Sequence, residues 1–576
     1  MPQKHQHGSA RFAATAQAAG LTSGKALSSV AAWTLGRSGG WLSRPVGLDT
    51  WPTGRNWLIL GAPRSGKGAN FFVPTLLSAG DQPTPRPSIL ITDPKGELLA
   101  LARDRLSRAG YAIHVVAFDQ PDLSGGFDPL PWLRGSSGLG PIDYGSAQHF
   151  AQTLVPVNPN EKDPFWGNAA RLIVSSAAVL ALRSGGGFAD ALGLAYRLAL
   201  ESSEELVDQI APFARVDPWA GTQMRALVQA LAGDQKLAAN ISADLVSKFA
   251  PWTTPAMLSI FSRPGPEWDT VLDADQPTAV FLLAAAHHAS QQAVVVASLL
   301  AAAHHRQRHQ NRLARPLWLL LDEFGNIGYI PNLLDALTTL PGAGVSLALG
   351  VQSIPQVEAV YGQSAARVAL EAIHGMLVYP GLGYDSAKWV SERLGTATIS
   401  QWSASQSSGG TARSWSQQSH ARALATPDEI SSLRGDRVLV LRFGAYALKL
   451  QSSPYYRDRR YAPEARLADP QNPQIAQMLD RMRQPLDVPP GAWDLGTGLL
   501  TRLEADDVAL AQSAAVPPPE APAVNTNPPE PAPADPEPAT PALEPAAAEP
   551  ATPAPESRKA AHPLEEALVD DPEDYV

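Results

Sequence analysis

Short apolar runs bounded by glycine, proline or aspartate recur along this chain, and amphipathic segments separate several of them. Such runs predict buried strands, and strands that alternate with helices predict a parallel sheet with helices on both faces. The runs form two groups with a long stretch of another pattern between them. The predicted strands cover residues 57–63, 88–94, 112–118, 278–286, 317–325, 345–353, 375–382, 437–443 and 447–451, and one clear intervening helix covers 96–110.

Between the two groups of strands, the chain shows apolar residues at helical spacing and no strand pattern. Residues 169–183, 188–211 and 222–252 predict successive amphipathic helices. We therefore expect an all-α domain, residues 164–265, inserted into an α/β protein whose sheet is assembled from two separate parts of the chain.

The remaining segments have biased compositions. Residues 1–50 are rich in alanine, glycine and serine and predict an arm or a lightly packed flank, and the Ser/Gln-rich segment 399–419 predicts a mobile loop. The segment after Val516 holds 17 of the 53 prolines and predicts disorder, because it cannot bury enough apolar surface to offset its ordering entropy. The predicted scheme is an N-terminal arm (1–50), a sheet domain in two parts (51–163 and 266–465), the all-α insertion (164–265), a helical or irregular extension (466–513) and a disordered acidic Pro-rich tail (514–576).

The net charge of −10 is unevenly distributed along the chain. Residues 514–576 carry −11, so residues 1–513 are close to neutral at about +1. A nucleic-acid partner is therefore not excluded by the overall charge. The chain has no cysteine, which excludes a disulfide framework, a thiolate metal site and a thiol nucleophile.

No stretch reaches the roughly 18 consecutive apolar residues that a membrane helix needs. The most apolar segments, 169–182 and 292–303, are too short or contain Arg171, so they predict buried helices. The N-terminal sequence lacks the apolar core of a signal peptide. We expect a cytoplasmic protein with no transmembrane helix in this chain.

The segment GAPRSGKGA, residues 61–69, follows an apolar strand and precedes a helix, and it nearly fits the phosphate-binding pattern G-x-x-x-x-G-K-[ST]. Gly61 and Gly66 allow the tight turn, Lys67 supplies charge to the β- and γ-phosphates, and the helix from Ala69 offers its positive end. Gly68 stands where a hydroxyl normally binds Mg²⁺, but water can take that place. The predicted nucleotide-binding residues are Gly61, Ala62, Pro63, Arg64, Ser65, Gly66, Lys67, Gly68 and Ala69, which we call the phosphate loop.

A second group of candidate residues follows two later strands. Asp322 and Glu323 end the apolar run LWLLL, and Gln352 ends the next strand. Ligands of open parallel sheets bind at the carboxyl ends of the strands, so we expect these side chains to face the phosphate loop. Asp322 is the predicted Mg²⁺ ligand, Glu323 the general base and Gln352 a contact to the γ-phosphate, with Lys67 also catalytic. The alternative is an acidic pair that only caps a turn.

Three other features have ordinary structural explanations. Asp93 and Lys95 in D-P-K-G-E either organise the nucleotide site or form a plain strand-to-helix turn. The adjacent histidine pairs lack the spacing and the ordered acid of a zinc helix, so we interpret the histidines as polar helix ends, and the tryptophans of the insertion as core. These histidines are His287, His288, His304, His305 and His309, and the tryptophans are Trp166, Trp252 and Trp268.

Together these motifs resemble the type IV secretion coupling proteins of the TraG/TraD kind, over roughly residues 7–460. The phosphate loop is similar to that family's G-P-T-R-S-G-K-G form, in which glycine commonly follows the lysine. The further segments that carry the resemblance are HGSARFA (7–13), ITDPKGELL (91–99), DPFWGNAARLIVSSAAVLAL (163–182), the acidic and glutamine strands (320–362) and TPDEISSL (426–433). The family usually begins with transmembrane helices, whereas this chain starts almost at the motif that follows them. Either it docks on a separate membrane protein or its start is missing.

The resemblance implies a RecA-like P-loop ATPase that uses ATP and Mg²⁺ to move single-stranded DNA or a DNA–relaxase complex to a type IV secretion channel. It also implies a homo-hexamer with ATP at subunit boundaries, peripheral at the cytoplasmic face of the inner membrane. Arg367 and Arg393 are candidates for an arginine supplied in trans, and the sequence selects neither. Two alternatives keep the fold: a receptor ATPase that delivers protein effectors, and a nucleotide-binding scaffold that does not pump DNA.

Overall fold

A computed structural model describes both predicted parts of the sheet and much of the all-α insertion. The described residues are 8–15, 21–23, 31–38, 44–133, 141–155, 165–200, 203–231, 243–244, 246–263, 265–273, 275–406 and 413–467. The predicted extension 466–513 lies outside them except for its first two residues, and the predicted tail 514–576 lies outside them entirely.

Fourteen strands have boundaries within the described residues. They are β1 (Thr22–Ser23), β2 (Ala32–Arg37), β3 (Pro45–Asp49), β4 (Trp57–Leu60), β5 (Ser88–Thr92), β6 (Ala112–Ala117), β7 (Thr278–Leu283), β8 (Leu317–Leu321), β9 (Val345–Val351), β10 (Gly375–Val378), β11 (Thr396–Gln406), β12 (Arg413–Ala423), β13 (Arg437–Arg442) and β14 (Leu448–Gln451). Twelve of them form one sheet in the order β1-β3-β2-β14-β13-β10-β4-β9-β8-β5-β7-β6.

The seven strands from β10 to β6 in that order are parallel, and the other five continue the sheet antiparallel. The predicted mainly parallel sheet, assembled from two parts of the chain, is confirmed. We call the edge where the seven parallel strands end the carboxyl edge. Every residue of β4, β5, β7, β8 and β9 is buried, because helices cover both faces of a parallel sheet.

The α-helices connect these strands and supply the two outer layers. They are α1 (Val73–Ser78), α2 (Glu97–Arg108), α3 (Tyr144–Leu154), α4 (Phe165–Arg183), α5 (Phe188–Leu200), α6 (Ser203–Val216), α7 (Pro218–Leu231), α8 (Pro255–Phe261), α9 (Trp268–Asp273), α10 (Ala289–Gln310), α11 (Leu333–Thr339), α12 (Ile354–Tyr361), α13 (Gln363–Glu371), α14 (Tyr384–Leu394), α15 (Pro427–Ser431) and α16 (Ala462–Leu467).

Successive strand residues point into two hydrophobic cores on opposite faces of the sheet. In β4, Leu58 and Leu60 belong to the core that continues into the all-α insertion. Trp57 and Ile59 belong to the other core, which includes the apolar faces of α1 and α2. This alternation follows from the two-residue period of a strand and holds the phosphate loop between two packed layers.

The chain leaves the sheet after β6 and returns at β7, and α3 to α9 lie between these strands. The predicted all-α insertion is therefore confirmed as part of the fold, while its boundaries at 164 and 265 stay a prediction. Helix α3 precedes residue 164 and packs against α4. Trp252 and Trp268 are buried in the core, as expected for packing residues.

The predicted N-terminal arm is wrong over its described residues, because β1, β2 and β3 extend the sheet. Trp33 of β2 is fully buried, with its ring 5.7 Å from that of Phe71 and 6.0 Å from that of Trp318. The indole of Trp318 donates a hydrogen bond of 3.0 Å to the Thr50 hydroxyl. The segment is short and poor in β-branched residues, so its strands depend on pairing and on this aromatic contact more than on local propensity.

The predicted mobile loop at 399–419 is also wrong over its described residues. Strands β11 and β12 pair antiparallel along their full length, from Thr396 opposite Ala423 to Gln406 opposite Arg413. The strands are mostly polar, so the sequence has no apolar alternation that predicts them. Their regular structure comes from the backbone hydrogen bonds between the two strands. Trp402 on β11 is 63% exposed.

Gly54 precedes β4 and packs against the backbone at the start of β9. A Cβ at this position overlaps the Val345 carbonyl oxygen, and the Gly54 amide is held by a 2.7 Å hydrogen bond to the Pro341 carbonyl. We predict that Gly54→Ala lowers the midpoint of thermal unfolding, with an overpacking cost of about 1–3 kcal/mol. Gly342→Ala is the control, because a Cβ there meets no atom within 4 Å. Equal midpoints for the two variants contradict this packing account.

Candidate nucleotide-binding site

The phosphate loop joins the end of β4 to the helix behind it. β4 ends at Leu60, and a turn of π-helix over Gly68–Phe72 leads directly into α1. The helical segment thus begins at Gly68, one residue before the predicted start. Arg64 and Gly66 have positive φ angles of 60° and 94°, which reverse the chain within the loop. All nine residues of the phosphate loop therefore lie on one tight strand–loop–helix connection.

The side chain of Lys67 folds back over this loop. Its ammonium donates one hydrogen bond to the carbonyl of Gly61 and another, at 3.2 Å, to the carbonyl of Ala62. Burial lowers the pKa of Lys67, while the negative charges of Asp322 and Glu323 oppose that shift. The loop therefore holds a buried cation within electrostatic reach of the two acids that the sequence predicts to face it.

The strand order explains why Lys67 and the acidic pair Asp322–Glu323 come together. Only β9 lies between β4, which leads into the phosphate loop, and β8, which ends one residue before Asp322. Gly350 of β9 leaves room for this approach, since a Cβ there comes within 3.1 Å of Asp322 Oδ1 and 2.8 Å of the Phe72 ring. The structure thus brings the two predicted groups to the same part of the carboxyl edge.

Asp322 is recessed beside the loop and held at its backbone. Its carbonyl accepts a 2.8 Å hydrogen bond from the Thr92 hydroxyl at the end of β5, and its Oδ1 accepts one of 3.1 Å from the Glu323 amide. Burial raises the pKa of Asp322 to about 6, although the nearby charge of Lys67 acts to lower it. The carboxyl group is therefore ionised at neutral pH and takes up a proton below about pH 6.

Glu323 is fixed by a chain of amide side chains that sequence reasoning missed. Its backbone adopts a left-handed conformation with φ of 56°, and its Oε2 accepts a 2.9 Å hydrogen bond from Asn326. Asn326 Oδ1 accepts a 3.2 Å bond from Gln356, whose Oε1 accepts a 3.3 Å bond from the amide of Gln352. Gln352 therefore lies where it was predicted, at the end of β9, and its backbone is linked to Glu323. The only sequence signal for Asn326 and Gln356 was their closeness to the predicted acids and glutamine.

The residues around the loop fit a phosphate group with Mg²⁺. The hydroxyl of Ser65 is buried and, among the described residues, has no hydrogen-bond partner. A side chain at Gly68 meets no atom within 4 Å, so this position opens into free space. Asp322 supplies a carboxylate oxygen, and Mg²⁺ commonly combines one or two carboxylates with several waters. Gly68 thus removes a hydroxyl ligand and leaves room for water in its place.

The neighbouring D-P-K-G-E segment divides its roles. Asp93 is buried, and its Oδ2 accepts a 2.8 Å hydrogen bond from the amide of Leu99 in the first turn of α2. Burial raises the pKa of Asp93 to about 6. Lys95 is exposed, and its charge contributes to lowering the pKa of Asp322. Asp93 therefore serves the strand-to-helix turn, whereas Lys95 adds positive potential beside the acidic pair.

The candidate trans arginine Arg393 lies away from this edge. It stacks 3.4 Å over the ring of Trp389 and lines a small cavity with Arg11 and Arg442. Arg442 is paired with Gly375, the first residue of β10, so the cavity lies at the opposite edge of the sheet. Within one subunit, Arg393 is remote from the phosphate loop.

Family comparison now adds to this geometry. The model of the family described as type IV secretory system conjugative DNA transfer matches residues 14–482. The chain belongs to this family. The resemblance that the motifs indicated is therefore confirmed over most of the chain, including the phosphate loop, the insertion and the acidic pair.

The curated relatives that the chain matches include proteins named conjugal transfer protein TraG. The conjugal transfer protein TraG of Escherichia coli is 25% identical over 404 residues, which are 65% of this chain and 61% of that protein. TraG of Rhizobium radiobacter is 28% identical over 177 residues, 27% of this chain and 26% of that protein. The match thus spans about three fifths of the length of Escherichia coli TraG and a smaller share of the second.

Solved structures of the coupling protein TrwB share the fold. Its unbound monoclinic form, TrwBdeltaN70, aligns with a TM-score of 0.52 at 15% identity, covering 69% of this chain and 84% of that chain. TrwB in complex with the non-hydrolysable ATP analogue ADPNP aligns with a TM-score of 0.51 at 15% identity, covering 69% and 85%. The predicted RecA-like P-loop fold is confirmed. Among the described residues, no helix has both the length and the apolar composition needed to cross a membrane.

The link from Asn326 to Glu323 generates a test of positioning. We predict that Asn326→Ala lowers ATP turnover roughly tenfold, because it releases the proposed base, while nucleotide affinity is retained. Steady-state turnover and binding of a fluorescent ATP analogue measure the two effects. Asn332→Ala is the matched control. Asn332 is the half-buried N-cap residue of α11, and its side chain makes no capping hydrogen bond. Parallel losses of turnover and affinity contradict a positioning role.

The raised pKa of Asp322 generates a pH prediction. Below about pH 6 the carboxyl is protonated and loses the charge that attracts Mg²⁺. We expect the apparent Mg²⁺ affinity of the nucleotide complex to fall by up to about tenfold per pH unit below 6. Mg²⁺ titrations between pH 5 and 8 measure this affinity. The same titrations with Asp322→Asn give the part of the pH dependence that comes from protonation of the nucleotide itself. Identical pH profiles for the parent and the variant are the contrary result.

Proposed function

We propose that this chain is an ATP-driven coupling protein that moves single-stranded DNA, or a DNA–relaxase complex, to a type IV secretion channel. Family membership supports the role in conjugative transfer. The observation that carries the ATPase activity is the convergence of Lys67 with Asp322 and Glu323 at one sheet edge. A cation at the phosphate loop and two carboxylates beside it are the groups that a P-loop ATPase uses to bind a triphosphate with Mg²⁺ and to activate water.

Nucleotide binding engages the phosphate loop first. Lys67 exchanges its hydrogen bonds with the carbonyls of Gly61 and Ala62 for the phosphate oxygens of ATP, and the Ser65 hydroxyl gains an acceptor. This exchange offsets the cost of burying the Lys67 charge, because the phosphates carry more negative charge than two carbonyl dipoles. Asp322, with water, would hold Mg²⁺, which would supply positive charge to balance the charge that develops on the phosphates.

Hydrolysis then relies on Glu323. Its carboxylate accepts the proton of the water that attacks the γ-phosphorus, and the bond to the ADP oxygen breaks to release phosphate. Asn326 holds Oε2 of the glutamate, which leaves the other oxygen to face the water. Gln352 follows β9, the strand between β4 and β8, and we propose that its side chain contacts the γ-phosphate. The link from its amide through Gln356 and Asn326 to Glu323 connects the phosphate contact to the base.

We propose a homo-hexamer with ATP at the subunit boundaries, in which Arg367 or Arg393 of a neighbour completes the site. We propose that the assembly docks on type IV secretion channel proteins at the cytoplasmic face of the inner membrane. Contact with the DNA backbone is electrostatic, so it weakens as salt increases.

The proposal is tested by ATP turnover with and without single-stranded DNA. We predict that Lys67→Ala and Glu323→Gln each reduce turnover at least about a hundredfold, and that Glu323→Gln retains bound ATP because only the base is lost. Lys388→Ala and Glu392→Gln are matched controls, since both side chains are exposed on α14. These controls are expected to keep the parent rate.

The contrary outcomes are separate. Turnover that persists in Lys67→Ala eliminates the motor function. Turnover that depends on Lys67 and Glu323 but is not stimulated by DNA favours the receptor for protein effectors, and binding without turnover favours the scaffold.

A further inference from the structure

Far along the carboxyl edge from the phosphate loop, three metal-ligating side chains meet. Asp119 follows β6, and His287 and His288 follow β7 at the entrance to α10. The Nε2 atoms of His288 and His287 lie 2.8 Å and 3.2 Å from Asp119 Oδ1. The three donor atoms lie within 4.8 Å of one another. Asp119 is 169 residues before His288, so the sequence around the histidines gave no sign of the acid.

The cluster is held in this arrangement by its surroundings. The amide of Ala285 donates a 3.4 Å hydrogen bond to Asp119 Oδ2, which leaves Oδ1 directed at the imidazoles. The amide of His288 donates to the carbonyl of Ala285 at 3.0 Å, and the His288 ring lies 5.8 Å from that of Phe118. Burial acts to raise the pKa of Asp119, but the hydrogen bond and charge of His288 hold that pKa below its usual range. Partners of this kind orient the ligands of metal sites.

The donor set and its spacing suit one class of ion. Two imidazoles with a carboxylate favour zinc and related divalent transition metals, whereas Mg²⁺ and Ca²⁺ prefer oxygen ligands. A tetrahedron with bonds of about 2.0–2.1 Å has donor–donor edges of roughly 3.3–3.4 Å, so the observed 2.8 Å and 3.2 Å require only small adjustments. The His287 side chain is 68% exposed and that of Asp119 38%, so water can supply a fourth ligand.

We propose that Asp119, His287 and His288 form a Zn²⁺ site, separate from the nucleotide site and independent of ATP hydrolysis. A neutral imidazole binds the ion through Nε2 and carries its proton on Nδ1, whereas a protonated imidazole releases one proton to solvent on binding. The ion joins the end of β6, where the chain leaves the sheet for the all-α insertion, to the end of β7, the first strand after the insertion. His288 also contacts the insertion through Phe118, whose ring lies 6.2 Å from that of Phe261 in α8. Zn²⁺ thus stabilises the root of the insertion.

The test uses the full chain without a polyhistidine tag, freed of metal by a chelator and dialysed. Competition with a chromophoric zinc chelator gives stoichiometry and affinity, and Co²⁺ absorption reports the coordination geometry. We expect one equivalent of Zn²⁺ in the parent, and an affinity weakened at least about tenfold in His287→Gln and in Asp119→Asn. Zn²⁺ is expected to raise the midpoint of thermal unfolding of the parent but not of these variants, because it binds the folded state.

His309→Gln is the matched control, because His309 is exposed near the other end of α10 and pairs with His305 at a ring distance of 4.4 Å. It is expected to bind Zn²⁺ as the parent does, and so is Lys67→Ala. His287→Gln guards against misfolding, since the side chain is largely exposed. Absence of saturable binding, equal affinity in His287→Gln and parent, or loss of binding in His309→Gln each overturns the proposal.

Discussion

The arrangement of the nucleotide site depends on one constraint of the sheet, the parallel pairing of β4, β9 and β8 in that order. Parallel strands end at a common edge, so the loop after β4, Gln352 after β9 and the acidic pair after β8 must be neighbours. The small residue Gly350 on β9 lets Asp322 and Phe72 approach across this strand. The position of the acids is therefore a property of strand order more than of any direct bond between them and Lys67.

This arrangement buries charged groups, and several partners stabilise them. Burial opposes the charged forms of both Lys67 and Asp322, and each is partly stabilised by the other. Backbone groups stabilise the two charges further: the loop carbonyls accept hydrogen bonds from Lys67, and the Glu323 amide donates one to Asp322. Arg64 and Glu323 are held in left-handed backbone conformations, which cost about 1–3 kcal/mol for residues other than glycine and concentrate at functional sites. This strain fits a site that is organised for its ligand.

The same edge carries two chemistries that do not overlap. At one end, oxygen donors and a lysine suit a nucleotide and Mg²⁺, and at the other, imidazoles and a carboxylate suit Zn²⁺. Gln352 follows β9 and Asp119 follows β6, and three strands (β8, β5 and β7) lie between these two in the sheet. The insertion begins beside the Asp–His cluster, so a stabilising ion there acts on the domain that the sheet carries and leaves the phosphate loop unaffected.

Local patterns in the sequence determined the central strands, the helical insertion and the phosphate loop, because each is encoded by periodicity or spacing over a few residues. The closeness of Lys67 to Asp322 and Glu323 could also be anticipated, since apolar strands followed by polar residues imply a shared edge. Only the tertiary structure decided the rest. Trp33 and its strands, and the polar ribbon of β11 and β12, take their form from partners distant in sequence, which local propensity does not record. The hydrogen bonds that join Glu323 to Asn326 and Asn326 to Gln356, and the contacts of His287 and His288 with Asp119, depend on distances in space, whereas a single sequence states only order along the chain.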